Sequence, residues 1–367
     1  MLVPNLETSN IADQVAWFRQ MKDEGIVPRY IELGNEFWIA TGMDEDVLKR
    51  WPDAPTSMRI MKEYCDALRP YFPSGAKVAV QSAGSQFWPD GSPTGAGGAR
   101  LRQWDAELKP ADWFDAVTIH PYPRTDQIMG LRGATKGWHQ PQQALKLFGA
   151  LLAHCDQGID NVVEDVRQRM PGKEIWVTEW STRATQFNNP DEPSAAMHIQ
   201  LVSRLTFALL RHREVTMSLF YMLNFIRHGD PIFQGDGSGG YRPMPQLVAM
   251  RWFNEAANGG ATYQRLLEAG ARAVPGGGAL SEGYLEVEAG LFQKASGTTL
   301  LVQNCAAEPR LINLAELPGG KMPRQIETLA TPDLSKPPDP QTPASLQPDP
   351  SGVVRLPPYS LSRMLWK

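Results

Sequence analysis

Polar residues able to move protons stand at three widely separated places in this 367-residue sequence. Glu36 follows Asn35 in the run from Tyr30 to Trp38, "YIELGNEFW". His120 and Tyr122 flank Pro121, and Glu179 sits between Thr178 and Trp180. Each group follows a short apolar run that reads as a strand. Two carboxylates facing one another across a pocket suit cleavage of a glycosidic bond. One, as the acid, protonates the leaving oxygen; the other attacks the anomeric carbon or activates water. The two must hold different protonation states, which their surroundings set. No serine nucleophile elbow and no metal-type cluster of His and Asp accompanies them, so neither a metal nor another cofactor is expected.

Glu36 and Glu179 are too far apart in sequence for one local element to join them, so the fold must. Strands alternate with helices over the first 260 residues. A short apolar strand opens the chain from Met1 to Leu6, and Asn10 offers an N-cap to a helix that Gly25 ends. "RYIELGNE" is the next strand, and a helix follows Thr56. Further strands are "AKVAVQSAG", "FDAVTIHPYP", "EIWVTEWS" and "VTMSLFYMLN". Between them lie helices near 140 to 169 and from Ser194 to about Arg213, and a last one, "PQLVAMRWFNEAANG", follows. Strands this continuously apolar are those of parallel sheets covered on both faces. No dinucleotide or P-loop glycine pattern is present, so an α/β barrel with its site at the C-terminal ends of the strands is expected. From about residue 261 the pattern turns to short strands with Gly and Pro turns. The expected division is therefore 1–260, a (β/α) barrel, and 261–367, a C-terminal β-sandwich. The proline-rich stretch 331–350 is expected as a loop within the sandwich.

Composition narrows the partners. The formal charge is −4, which gives no electrostatic reason to expect nucleic acid or an anionic membrane. No run approaches the length of a membrane-spanning helix. No signal peptide is visible at "MLVPNLETSN", so the compartment stays open. Cys65, Cys155 and Cys305 lie far apart without a CxxC pair, against a disulfide scaffold or a zinc ribbon. Eleven tryptophans are many for this length. Indoles serve cores, and they also stack on sugar rings; Trp38, Trp88 and Trp180 are the candidates for the second use, with core packing the equal alternative for Trp88. Gln81 and Ser82 end a strand and are expected to line the pocket. Asp236 in "GDGSGGY" could hold a cation, but a rim loop is the simpler reading. His139, His154, His198, His212 and His228 lack ligand-like spacing.

"ELGNE", His120-Pro121-Tyr122 and "WVTEWS", in this order and with strands between them, resemble the retaining glycoside hydrolases of clan A. The C-terminal sandwich is similar to that of α-L-arabinofuranosidases, β-xylosidases and β-glucuronidases of the clan. The resemblance implies a (β/α)8 barrel of the TIM type, a carbohydrate substrate, and roles residue by residue. Glu36 would be the acid/base and Glu179 the nucleophile. Asn35 would bind the sugar 2-hydroxyl, Tyr122 would donate to Glu179, and His120 would sit against the acid/base or the substrate. In the clan the Asn-Glu pair ends the fourth barrel strand. "YIELGNE" has only one strand before it, so the barrel is expected to be N-terminally incomplete, with about six strands numbered three to eight. Its open edges make self-association an expectation. Two readings follow: a retaining O-glycosyl hydrolase, or a carbohydrate-binding pseudoenzyme that lost turnover with the missing strands. Taken singly, Glu36 and Glu179 would also pass for salt-bridged strand-end residues; it is their register with His120 that favours chemistry.

Overall fold

The computed structural model describes residues 1–39, 45–83, 98–123, 141–181, 194–221, 224–225, 232–235, 238–266, 273–274, 283–317, 322–331, 334 and 342–366. By contacts they group into two units. The first comprises Met1–Pro121, Asn161–Trp180 and Arg213–Leu219; the second comprises Tyr122–Asp160, Ser181–His212 and Phe220–Lys367. The expected division at residue 260 follows element type, whereas these units follow packing.

The first unit is a parallel β/α half-barrel. Its sheet has the order β1 (Tyr30–Leu33), β2 (Lys77–Gln81), β3 (Ala116–Ile119), β4 (Glu174–Trp180) and β5 (Val215–Phe220), whose last residue, Phe220, groups with the second unit. Among the described residues five strands are thus present where about six are expected. The first expected strand is reduced to one parallel bridge, Leu2 to Ile31. There Leu2 N donates to Tyr30 O at 2.8 Å and Glu32 N donates to Leu2 O at 3.0 Å.

Successive side chains of a strand point to opposite faces, and the two faces of this sheet differ. Ile31, Leu33, Val78, Val80, Val117, Ile119, Ile175 and Val177 are buried on one face. The other carries Glu32, Gln81, Thr118 and Thr178 above an apolar floor of Ala79, Ala116 and Trp176, against which Met217 packs. The strands are therefore less continuously apolar than the sequence reading has them: one face is aliphatic, and the other turns polar toward its C-terminal end.

Helix α1 (Ile11–Asp23) begins where Asn10 Oδ1 accepts from Asp13 N at 2.9 Å. It packs Phe18 and Met21 on Leu68 of the helix Ala54–Leu68. That second helix is capped by Asp53, which accepts from Thr56 N at 2.8 Å, so its start lies before Thr56, where sequence places it. At the end of β1 the chain must turn sharply. Gly34 has φ +88, and a Cβ there would lie 2.5 Å from Phe37 Cε2. Gly34→Ala is accordingly expected to cost about 2–4 kcal/mol, from left-handed strain and overlap together. Urea unfolding measures this, and an unchanged midpoint would contradict the steric account.

In the second unit a six-stranded sheet forms a middle layer. In chain order its strands are Thr262–Leu266, Val287–Lys294, Gly297–Asn304, Gln325–Ala330, Ala344–Ser345 and Ser360–Trp366. All its described pairings are antiparallel. One face packs Phe292, Leu301, Leu329 and Leu361 on Phe207, Val248 and Trp252 of the helices Ser194–Leu210 and Pro245–Ala257. The other packs Val287, Leu300, Val302 and Met364 on Val354 and Leu356 of a two-stranded sheet. The alternation of Leu300, Leu301 and Val302 between the two cores is the period-2 pattern of a strand covered on both sides. Arg204, with no exposure, is paired with Glu288 at 3.0 Å and Asp156 at 3.3 Å, as a buried charge must be. The helical stretch expected near 140 to 169 is two helices, Pro141–Ala153 and Ile159–Arg169, joined by one π-helical turn. The three cysteines are buried and free. Among the described residues no helix is long and apolar enough to cross a membrane.

Candidate active site

The polar end of the half-barrel brings Glu36, His120 and Glu179 together. One atom from each side chain, a carboxylate oxygen or a ring nitrogen, lies within 4.8 Å of the other two. Glu36 arrives there through an uncommon backbone: its φ is +54, left-handed for a residue with a side chain. Such conformations persist only where the surroundings hold them, and they gather at functional sites. The holding contacts are visible. Glu36 N donates to Gln81 Oε1, and Glu36 O accepts from Ile39 N at 2.9 Å. Phe37 stacks on Trp51 with centroids 4.0 Å apart. The Arg100 guanidinium donates to the carbonyls of Phe37 at 2.7 Å, Trp51 at 2.7 Å, Pro52 at 2.6 Å and Trp38 at 3.2 Å.

His120 is the hub. Its ring is fully buried, whereas the side chains of Glu36 and Glu179 are 26 % and 24 % exposed and open to a ligand. Nδ1 lies 2.9 Å from Glu36 Oε1 and 3.8 Å from Glu179 Oε2. Nε2 lies 3.0 Å from Thr178 Oγ1. Burial opposes the imidazolium, but the carboxylates Glu32, Glu36 and Glu179 outweigh it and raise the His120 pKa to about 9. Gln81 is buried, with its Nε2 3.1 and 3.3 Å from the two ring nitrogens. Gln81 thus joins the Glu36 backbone to His120.

The trio also has the residue types of a cation site. Both ring nitrogens already face protein oxygens, and an imidazolium has no lone pair to give a metal. The same contacts join the two carboxylates through the His120 ring.

Other expected site residues fall differently. Asn35 is exposed beside Glu36. Trp38 is 4 % exposed and Trp180 has no exposure, its Nε1 donating to Ser218 Oγ at 2.7 Å. Both indoles are buried, so neither ring offers an exposed face. Ser82 donates to Asp105 at 3.1 Å, and Ala83 N donates to the same carboxylate at 2.9 Å. Arg169 pairs with Asp105 as well, so Ser82 belongs to a buried structural network. Tyr122 lies in the second unit, edge-on to Tyr221 with centroids 6.0 Å apart. Trp88 and Asp236 fall outside the described residues.

Two groups escaped the sequence reading. Glu32 is 3 % exposed, and its Oε1 accepts from Thr178 Oγ1 at 2.9 Å. The available signals were a carboxylate inside an apolar strand, four residues before Glu36, and a threonine directly before Glu179.

Comparison with solved structures places the fold. A xyloglucanase of glycoside hydrolase family 44 from Paenibacillus polymyxa matches with a TM-score of 0.60 at 11% identity, over 99% of this chain and 74% of that one. A 4-O-α-L-rhamnosyl-β-D-glucuronidase from Fusarium oxysporum 12S matches with 0.58 at 14%, over 99% and 76%. A family 30 endoxylanase from Clostridium papyrosolvens C71 matches with 0.52 at 13%, over 97% and 70%. No family model matches the sequence, and no curated protein matches it. At these identities the likeness is one of fold: the chain shares with these glycoside hydrolases a parallel β/α barrel architecture, here a five-stranded half-barrel, followed by antiparallel sheets.

Proposed function

We propose that the protein is a retaining O-glycosyl hydrolase with Glu36 as acid/base and Glu179 as nucleophile. The observation that carries this is the spacing of the two part-exposed carboxylates. One oxygen of each lies within 4.8 Å of one of the other, a close approach in keeping with retaining pairs, whose carboxyls stand roughly 5–5.5 Å apart without the roughly 6.5–9.5 Å gap that inverting pairs keep for a water. In the first step a Glu179 oxygen bonds to the anomeric carbon. The glycosidic C–O bond breaks, and the Glu36 proton passes to the leaving oxygen. In the second step water attacks that carbon, gives its proton to Glu36, and releases Glu179. Asn35, exposed beside Glu36, would bind the sugar 2-hydroxyl. The buried His120 ring lies between the two carboxylates, its Nδ1 2.9 Å from Glu36 and 3.8 Å from Glu179.

The fold likeness supports a carbohydrate substrate of the plant-polysaccharide or uronic-acid type, with the sugar and linkage to be chosen by assay. A panel of nitrophenyl arabinofuranosides, xylosides, glucosides and glucuronides is expected to release nitrophenol with at least one member. Release from none of them would overturn the reading.

A further inference from the structure

We propose that Glu32 is a positioning residue of this site, acting through Thr178 to fix which nitrogen of His120 faces Glu36. The proposal rests on the reading of Glu36 as acid/base and extends it to a residue that cannot touch substrate. Glu32 is buried on β1, and a carboxylate can only accept hydrogen bonds when ionised. The Thr178 hydroxyl, 2.9 Å from Glu32 Oε1, therefore gives its one proton to Glu32. Its lone pairs are then what His120 Nε2 meets at 3.0 Å, so Nε2 must carry a hydrogen. Gln81 Nε2 lies almost equally far from both ring nitrogens and does not choose between them. The consequence falls on the far side of the ring. With Nε2–H committed, Nδ1 is the nitrogen that exchanges a proton, and it lies 2.9 Å from Glu36 Oε1.

One proton is then shared across that contact. It sits either on Nδ1, with Glu36 ionised, or on Glu36, with Nδ1 accepting; the total is the same in both forms. When Glu36 gives this proton to a leaving oxygen, the O–H bond at Glu36 breaks and Nδ1 keeps its lone pair. When Glu36 takes a proton from water, the shared pair is restored. The described groups facing His120 are Glu32 from β1, Glu36 from the turn after β1, Gln81 from β2, and Thr178 and Glu179 from β4. Glu32 lies 3.9 Å from Nε2 and adds a negative charge that no ligand can reach. It helps to keep the shared proton in the site as the pH rises.

The test pairs an activity-free readout with a kinetic one. Nitrogen-15 NMR of the imidazoles, with His120 assigned by a His120→Asn variant, is recorded across pH on the parent and on Glu32→Gln. In the parent, the neutral ring is expected to carry its hydrogen on Nε2. In Glu32→Gln, the His120 titration is expected to fall by at least about one pKa unit, the lower end of the effect of a nearby opposite charge. The basic limb of kcat/KM on a poor-leaving-group glycoside should fall with it. An activated dinitrophenyl glycoside, which needs little acid assistance, should change by less than about threefold. A parent ring neutral with Nδ1–H overturns the proposal, even if the variant fails to fold. So does an unmoved titration in a folded Glu32→Gln, or an equal loss on both substrates. If the parent cleaves nothing, the glycosidase reading falls, and the NMR titration alone still decides the role of Glu32.

Discussion

Glu179→Gln is expected to lower kcat/KM toward an aryl glycoside by at least about 10⁴-fold, the scale of losing a covalent nucleophile. The amide keeps the shape of the carboxylate but cannot form a stable bond to the anomeric carbon. Its removal also takes one negative charge from His120, which lies 3.8 Å away. The smaller Glu179→Ala leaves space that azide can enter. Added azide is expected to restore part of the turnover and to give a glycosyl azide of inverted configuration. Because Glu179 is part-exposed at a strand end, unfolding should change little. Activity near the parental level in either variant would exclude Glu179 as nucleophile.

Glu36→Gln should behave differently, and the difference separates the two roles. General acid–base assistance contributes roughly 10²–10⁴-fold. A loss of that size is expected on alkyl or saccharide leaving groups, which need the proton. A dinitrophenol leaving group departs without it, so glycosylation of the enzyme should stay close to parental while deglycosylation slows. A burst of dinitrophenol followed by a slow steady state is the expected trace. An equal loss on all leaving groups would assign Glu36 another role. Here the left-handed backbone at Glu36 matters: glutamine can occupy it with the same holding contacts, so the variant tests chemistry and leaves the turn in place.

The carboxylate pair was legible in the sequence because each member ends a short apolar strand at a motif with its own character. The two motifs stood in an order that a barrel turns into proximity. His120 was legible for the same reason. Glu32 was not. A single carboxylate within Tyr30–Leu33 looks like an irregularity in a buried strand until the partner on β4 is known, and that partner, Thr178, is far away in sequence. The hydroxyl–carboxylate contact is a product of sheet curvature, which spacing along the chain does not encode. The burial of Trp38 and Trp180 was not legible for a related reason: an indole beside a candidate carboxylate reads equally as wall or as floor in sequence. The strand count was nearly right. The first strand shrank to the Leu2 bridge because its stretch, with Pro4 and Asn5 in it, sustains only one pairing beside Ile31. The helices Ser194–Leu210 and Pro245–Ala257 read correctly as helices. Their apolar faces did not reveal that they cover the antiparallel sheet of the second unit, since an amphipathic face names no partner.

The central claim is that Glu36 and Glu179 work as a retaining pair, and the configuration of the first-formed product tests it most directly. A nitrophenyl glycoside cleaved by the parent is followed by proton NMR from the first minutes, before the free sugar equilibrates. The account predicts that the anomer of the substrate appears first and its mirror at that carbon only later, by mutarotation. The opposite anomer appearing first would contradict it, and binding of oligosaccharides with no cleavage would favour a carbohydrate-binding protein built on the same fold.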